Sequence, residues 1–83
     1  MEEPLSIEIY SPEENLFCGT ARAIFLPGRV GPFEVLHRHA PIITELVQGE
    51  IRILSGDGQP TSIFVKGGFA GVKNDKVSVC VEK

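Results

Sequence analysis

Glycine and proline punctuate this chain so densely that helices have almost no room. The nine Gly and six Pro fall at positions 4, 12, 19, 27, 28, 31, 32, 41, 49, 56, 58, 60, 67, 68 and 71, and up to position 71 they leave no uninterrupted piece longer than eight residues. A globular helix usually runs about 8 to 20 residues, and Gly or Pro in its interior costs about 1 to 3 kcal/mol. A chain cut in this way must be built from strands and turns. The one longer piece, residues 72–83, alternates: Val77, Val79 and Val81 share one parity while Ser78, Cys80 and Glu82 share the other. That period of two belongs to a strand with one buried face. Leu5, Ile7 and Ile9 alternate in the same way with Ser6, Glu8 and Tyr10.

Turn chemistry joins these runs. Ile51 and Ile53 flank Arg52, Ile63 and Val65 flank Phe64, and the Gly-rich stretch Gly56-Asp57-Gly58-Gln59-Pro60 lies between them, which predicts a hairpin. Asn74-Asp75 predicts a second tight turn, between strands over 69–73 and 76–82, because Asn and Asp tolerate positive φ. Residues 20–26 make a further strand that ends at Pro27-Gly28, and residues 32–36 another that ends before His37. Seven or more short strands with turns every 8 to 12 residues point to an all-β, antiparallel sandwich or flattened barrel. Domains usually take about 100 to 200 residues, so the 83 residues predict a single unit.

Charge narrows the partners. The 8 basic and 11 acidic residues leave a net charge of -3, and the Lys and Arg are spread singly. Phosphate backbones are bound by clustered cations, so nucleic acid is not an expected partner. No apolar run approaches the roughly 18 to 20 residues that span a bilayer, and the acidic start Met1-Glu2-Glu3-Pro4 is unlike a basic signal peptide. The expectation is a chain on the cytosolic side, held to a membrane only through another chain. Cys18 and Cys80 lack CxxC spacing and predict buried thiols in a reducing compartment rather than a disulfide.

His37 and His39 form an HxH pair that, on a strand, would point to one side and could share a zinc ion with a cysteine. The alternative is a pair of loop histidines, because both lie in a segment ended by Pro41 and neither cysteine has ligand spacing. No GxSxG or similar nucleophile motif supplies the histidines with a hydrolytic partner. The glycines of Gly28-Arg29-Val30-Gly31 and Gly67-Gly68-Phe69-Ala70-Gly71 match neither GxxxxGK[ST] nor GxGxxG opening a helix. Gly67-Gly68 instead predicts a bend or close backbone approach between strands. The acidic pairs Glu2-Glu3 and Glu13-Glu14 are expected to be solvated. From the residues alone, the chain is a small β domain acting as a binding or structural module, with metal binding through His37 and His39 left open.

An ordered set of motifs adds a family. Leu5-Ser6-Ile7-Glu8-Ile9-Tyr10-Ser11-Pro12-Glu13, Phe17-Cys18-Gly19, the run 31–36 followed by His39-Ala40-Pro41, Gly49-Glu50-Ile51-Arg52-Ile53 and Gly67-Gly68-Phe69 resemble the epsilon subunit of the bacterial F-type ATP synthase. The resemblance covers essentially the whole chain, in order. It implies the family's N-terminal β-sandwich of about ten strands and a non-catalytic rotor role, with no cofactor and no metal. The implied partners are the gamma subunit and the cytoplasmic loops of the c-ring, with the alpha and beta subunits of the head reached only indirectly. The implied location is the cytoplasmic face of the bacterial inner membrane, as a peripheral part of the synthase.

Carried over residue by residue, the resemblance places Ser11 and the stretch His39, Ala40, Pro41, Ile42 and Thr44 toward gamma. It places Arg29, Val30, Gly31, Pro32 and Phe33 toward the c-ring. Three departures from the family's usual pattern stand out: Pro32 follows the glycine where an acidic residue is common, Glu34 replaces a glycine or small residue, and His37-Arg38 replaces Pro-Gly or Pro-Asn before His39. Most members continue into a C-terminal helical hairpin that inhibits ATP hydrolysis, whereas this sequence ends at Lys83. The expectation for a chain of this extent is coupling and assembly without inhibition by helix extension.

Overall fold

In the computed structural model, which describes residues 4–56 and 59–83, the alternation becomes nine strands and, among the described residues, no helix. They are β1 (Leu5–Tyr10), β2 (Asn15–Ala21), β3 (Ala23–Leu26), β4 (Phe33–Val35), β5 (Ile42–Leu46), β6 (Gly49–Leu54), β7 (Pro60–Val65), β8 (Gly67–Lys73) and β9 (Lys76–Glu82). Two sheets result, a five-stranded one in the order β2-β1-β9-β8-β5 and a four-stranded one in the order β4-β3-β6-β7. The β-sandwich expectation holds, with nine strands among the described residues.

The core is the set of inward parities. Leu5, Ile7 and Ile9 of β1 and Val77, Val79 and Val81 of β9 are buried, and they meet Ile24, Leu26, Val35, Ile51, Ile53 and Val65 from the other sheet. Burying an aliphatic side chain of this size contributes about 1.5 to 3 kcal/mol, and in a chain with few aromatics these two aliphatic layers make up the core.

Two expectations need correction. The sandwich is not wholly antiparallel, because β1 pairs with β9 in parallel, Ser6 opposite Lys76 through Tyr10 opposite Cys80. The first and last strands lie side by side in the middle of one sheet. The strand expected over 20–26 is two strands, β2 and β3, broken at Arg22, whose N–H donates to the Leu54 carbonyl at 2.8 Å while the chain passes from one sheet to the other. Buried Ala21 and Ala23 flank that corner, and their small side chains let it turn.

The predicted turns are present. β8 and β9 are joined at Asn74 (φ 52°) and Asp75 (φ 63°), both left-handed. The β6–β7 hairpin pairs Ile51 with Ile63, and residues 57 and 58 of its loop, like the Glu2-Glu3 pair, lie outside the described residues. Where the chain passes from β7 to β8 it also changes sheet, and Gly68 there adopts φ 148° against the backbone of β9. This is the close approach expected of Gly67-Gly68.

Candidate partner-docking surface

β5 is an edge strand of the five-stranded sheet, and two segments converge on it. The first is 27–33. Gly28 bridges Leu46, the Arg29 N–H donates to the Glu45 carbonyl at 2.8 Å, and the Val47 N–H donates to the Pro27 carbonyl at 2.9 Å. The Arg29 guanidinium also lies 3.6 Å from the Glu45 carboxylate, but both side chains are largely exposed, and such a pair is worth about 1 kcal/mol or less. The main-chain bonds are the tether. The loop closes through Gly31 N–H to Gly28 O at 3.0 Å, and Gly31 takes φ 140°, a region open chiefly to glycine. Val30 at its tip is 97% exposed, while Phe33 turns back to pack against the core.

The second segment is 36–41, which carries the chain from β4 to β5. The His39 N–H donates to the Leu36 carbonyl at 3.1 Å, closing a turn in which Arg38 sits at φ 67°. Asp75 meets this turn from the β8–β9 hairpin: its Oδ1 accepts the Arg38 N–H at 2.6 Å, and its Oδ2 lies 2.9 Å from His37 Nδ1. That second contact is a close approach off the line of a hydrogen bond. The His39 ring stands 6.4 Å from that of Phe33, centroid to centroid, and its Nδ1 is 2.7 Å from the Ala40 carbonyl. Segments expected to meet two different partners are thus neighbours, in contact at Phe33–His39, and the Arg29 loop also reaches β5 next to Thr44, at Glu45.

β5 then divides its residues between two faces. Ile42 packs inward against the core and Thr44 is half-buried on the same side, whereas Ile43 is 85% exposed on the outer face. Ile43 stands opposite Gly71 of β8, and Gly71 stands opposite Ser78 of β9. Small residues beside a bare isoleucine leave a shallow groove, lined by Pro41, Ile43, Gly71, Lys73, Lys76 and Ser78. Phe69, two residues along β8 from Gly71, adds a ring that is 61% exposed.

The exposure of Ile43, inside the 39–44 stretch, and of Phe69 is not among the sequence expectations. A signal was present, since two consecutive isoleucines in a strand must face opposite ways and Phe69 shares the parity of Lys73 rather than that of Val72. Ser11 is placed apart from the rest. It follows β1 at the end opposite the Asp75 turn, and it is almost fully buried. Its Oγ accepts the Glu13 and Glu14 N–H groups, each at 3.3 Å, so the hydroxyl shapes its own turn.

The structure does not assemble the HxH pair and the cysteines. His37 faces Asp75, His39 faces Phe33 and Ala40, and among the described residues no group of three or more His, Cys, Asp and Glu could hold a metal ion. The expectation of buried thiols is corrected as well. Cys18 and Cys80 are free and exposed, because their parity is that of Glu8 and Ser78 on the outer face and opposite to that of the core valines.

Residues 4–83 match the family model for the ATP synthase delta/epsilon chain, beta-sandwich domain. The chain belongs to this ATP synthase delta/epsilon family. Among its relatives, the ATP synthase epsilon chain of Verminephrobacter eiseniae (strain EF01-2) is 40% identical over 75 residues, covering 90% of this chain and 54% of the relative. That of Paracoccus denitrificans (strain Pd 1222) is 35% identical over 83 residues, covering 100% and 56%. This delta/epsilon chain therefore spans about half the length of the curated relatives it matches. Its fold is that of a chain in the Euglena gracilis mitochondrial ATP synthase (OSCP/F1/c-ring), with TM-score 0.91 and 20% identity over 100% of this chain and 53% of that one. It is also that of a chain in the central stalk/c-ring structure of the Tetrahymena thermophila enzyme, with TM-score 0.79 and 10% identity over 99% and 66%.

Proposed function

We propose that this delta/epsilon chain is a non-catalytic rotor domain of a proton-translocating F-type ATP synthase, seated on the gamma subunit and on the c-ring loops. It sits at the cytoplasmic face of the bacterial inner membrane and reaches the alpha/beta head only through gamma. Its work is mechanical. Torque must pass through an interface whose loops do not yield, and the observation that carries the reading is the pinning of segment 27–33 to β5 by main-chain hydrogen bonds. Family membership supports it, as do relatives named ATP synthase epsilon chain and fold neighbours drawn from central-stalk and c-ring structures.

In this reading gamma takes the 39–44 segment, His39, Ala40, Pro41, Ile42 and Thr44, together with Ile43 and the turn that Ser11 shapes. The c-ring takes the tip formed by Arg29, Val30, Gly31, Pro32 and Phe33. Apolar anchors surrounded by a polar rim are the usual anatomy of such an interface, and Ile43 and Val30 are the exposed anchors. The test is co-purification of this chain with the gamma subunit of the same organism. A stable binary complex that persists at high salt is expected, and the absence of any complex across a range of salt concentrations would overturn the reading.

A further inference from the structure

Asp75 ties three segments together. Its carbonyl accepts the Ser6 N–H of β1 at 2.9 Å, its Oδ1 accepts the Arg38 N–H at 2.6 Å, and its Oδ2 lies 2.9 Å from His37 Nδ1. The His37 and Asp75 side chains are only 21% and 27% exposed, so the contact is partly shielded from water. The Arg38–Asp75 hydrogen bond spans 37 residues of sequence.

Arg38 explains why a clamp is needed. At φ 67° it holds a left-handed conformation that a residue with a Cβ resists, in a turn where glycine would be at ease. Left to itself the turn would relax toward φ below zero, and the chain leaving it at His39 would re-aim. The charged acceptor on the Arg38 N–H opposes that relaxation, since hydrogen bonds to a carboxylate are among the strong ones. The hairpin bearing Asp75 is itself fixed, being closed by the Lys73–Lys76 pairing and joined to β1.

From these contacts we infer that Asp75 is the positioning residue of the 37–41 segment, holding Arg38 left-handed so that His39, Ala40 and Pro41 are presented in one arrangement to the gamma subunit. The inference rests on the proposed docking for its consequence and on geometry alone for the clamp. Apparent affinity falls in proportion to the population of the binding-competent arrangement, so a segment correctly placed about a tenth of the time binds about tenfold more weakly.

The experiment compares wild type, Asp75→Ala and Asp75→Ala/Arg38→Gly in the 83-residue chain by amide NMR and by titration with purified gamma subunit. Glycine tolerates the left-handed turn unaided, so it should replace what the carboxylate supplies. Asp75→Ala is expected to shift or broaden the amides of residues 37–40 while strand amides stay in place, and to weaken gamma binding about tenfold. The double variant is expected to restore both. Unchanged 37–40 amides in Asp75→Ala, or a double variant that recovers neither signal, would overturn the clamp. Full gamma affinity in Asp75→Ala despite displaced amides would overturn its role in presentation. Failure of wild type to bind gamma would count against the proposed function, and the amide spectra would still decide the clamp.

Discussion

Gly68 on β8 lies directly against the carbonyl oxygen of Cys80 on β9, so close that no Cβ can stand between them. The contact comes just after the chain crosses from the four-stranded to the five-stranded sheet, and it sets how tightly β8 seats against β9. Gly71, three positions on, has nothing within 4 Å of where its Cβ would be.

Gly68→Ala should therefore destabilise the fold by about 2 to 4 kcal/mol, combining left-handed strain with steric overlap. A domain of this size holds on the order of 4 to 12 kcal/mol in total. Gly71→Ala should stay within about 0.5 kcal/mol of wild type. Urea unfolding followed by circular dichroism measures both, and equal midpoints for the two variants would contradict the assignment.

Ile42 and Ile43 should separate stability from binding. Ile42 packs against the core and Ile43 is exposed, so Ile42→Asp buries a charge and lowers the melting temperature, whereas Ile43→Asp leaves it nearly unchanged. In co-purification with the gamma subunit, Ile43→Asp should lose about 2 kcal/mol of affinity if Ile43 is an anchor. Wild-type affinity in Ile43→Asp would remove it from the interface.

Arg38→Gly on its own should stabilise the chain. Relief of a left-handed backbone at φ 67° is worth about 1 to 2 kcal/mol, and glycine's extra unfolded-state entropy returns about 0.5 to 1 of it. The net expectation is a gain near 0.5 to 1 kcal/mol, read as a higher urea midpoint. A lower midpoint would mean that the Arg38 side chain makes contacts outweighing its backbone strain.

Cys18 and Cys80 should both react with a thiol reagent in native buffer, since both are exposed. Oxidation should not join them within one chain. β1 lies between β2 and β9, which sets the two backbones about 9.6 Å apart at two strand spacings, beyond the roughly 7 Å Cα separation a disulfide can bridge. Mass spectrometry after mild oxidation checks this, with an intramolecular disulfide as the contrary result.

Much of the strand content was legible because a period of two is written into neighbouring residues. Leu5, Ile7 and Ile9, and likewise Val77, Val79 and Val81, declare a buried face with no reference to the rest of the chain. Asn74-Asp75 declares its turn through backbone tolerance that only a few side chains share. The thiols went wrong despite a correct parity. Cys80 shares the parity of Ser78 and Glu82, so the alternation itself places it on the outer face, whereas cysteine spacing and a reducing compartment bear only on whether the thiols pair.

For the proposed docking surface, the sequence offers candidate residues but not their neighbours. Residues 29–33 and 39–44 are separate segments in the sequence, and only the strand register turns Ile43 outward between Ile42 and Thr44. That segment 27–33 lies along β5, or that Asp75 reaches Arg38 and His37, depends on contacts across sheets and hairpins that no local pattern encodes.

By itself, then, the sequence determined that this protein is all-β, which faces of β1, β6 and β9 are buried, where the β8–β9 turn falls and, through its ordered motifs, its family. Tertiary structure alone decided that β1 and β9 lie parallel, that residues 20–26 split between two sheets and that Arg38 is held left-handed beside Asp75. The division has a physical cause. Alternation and turn propensity act over a few residues, whereas strand partners, sheet crossings and clamps are chosen by how the two layers close over a shared core, which the chain settles only when its ends meet.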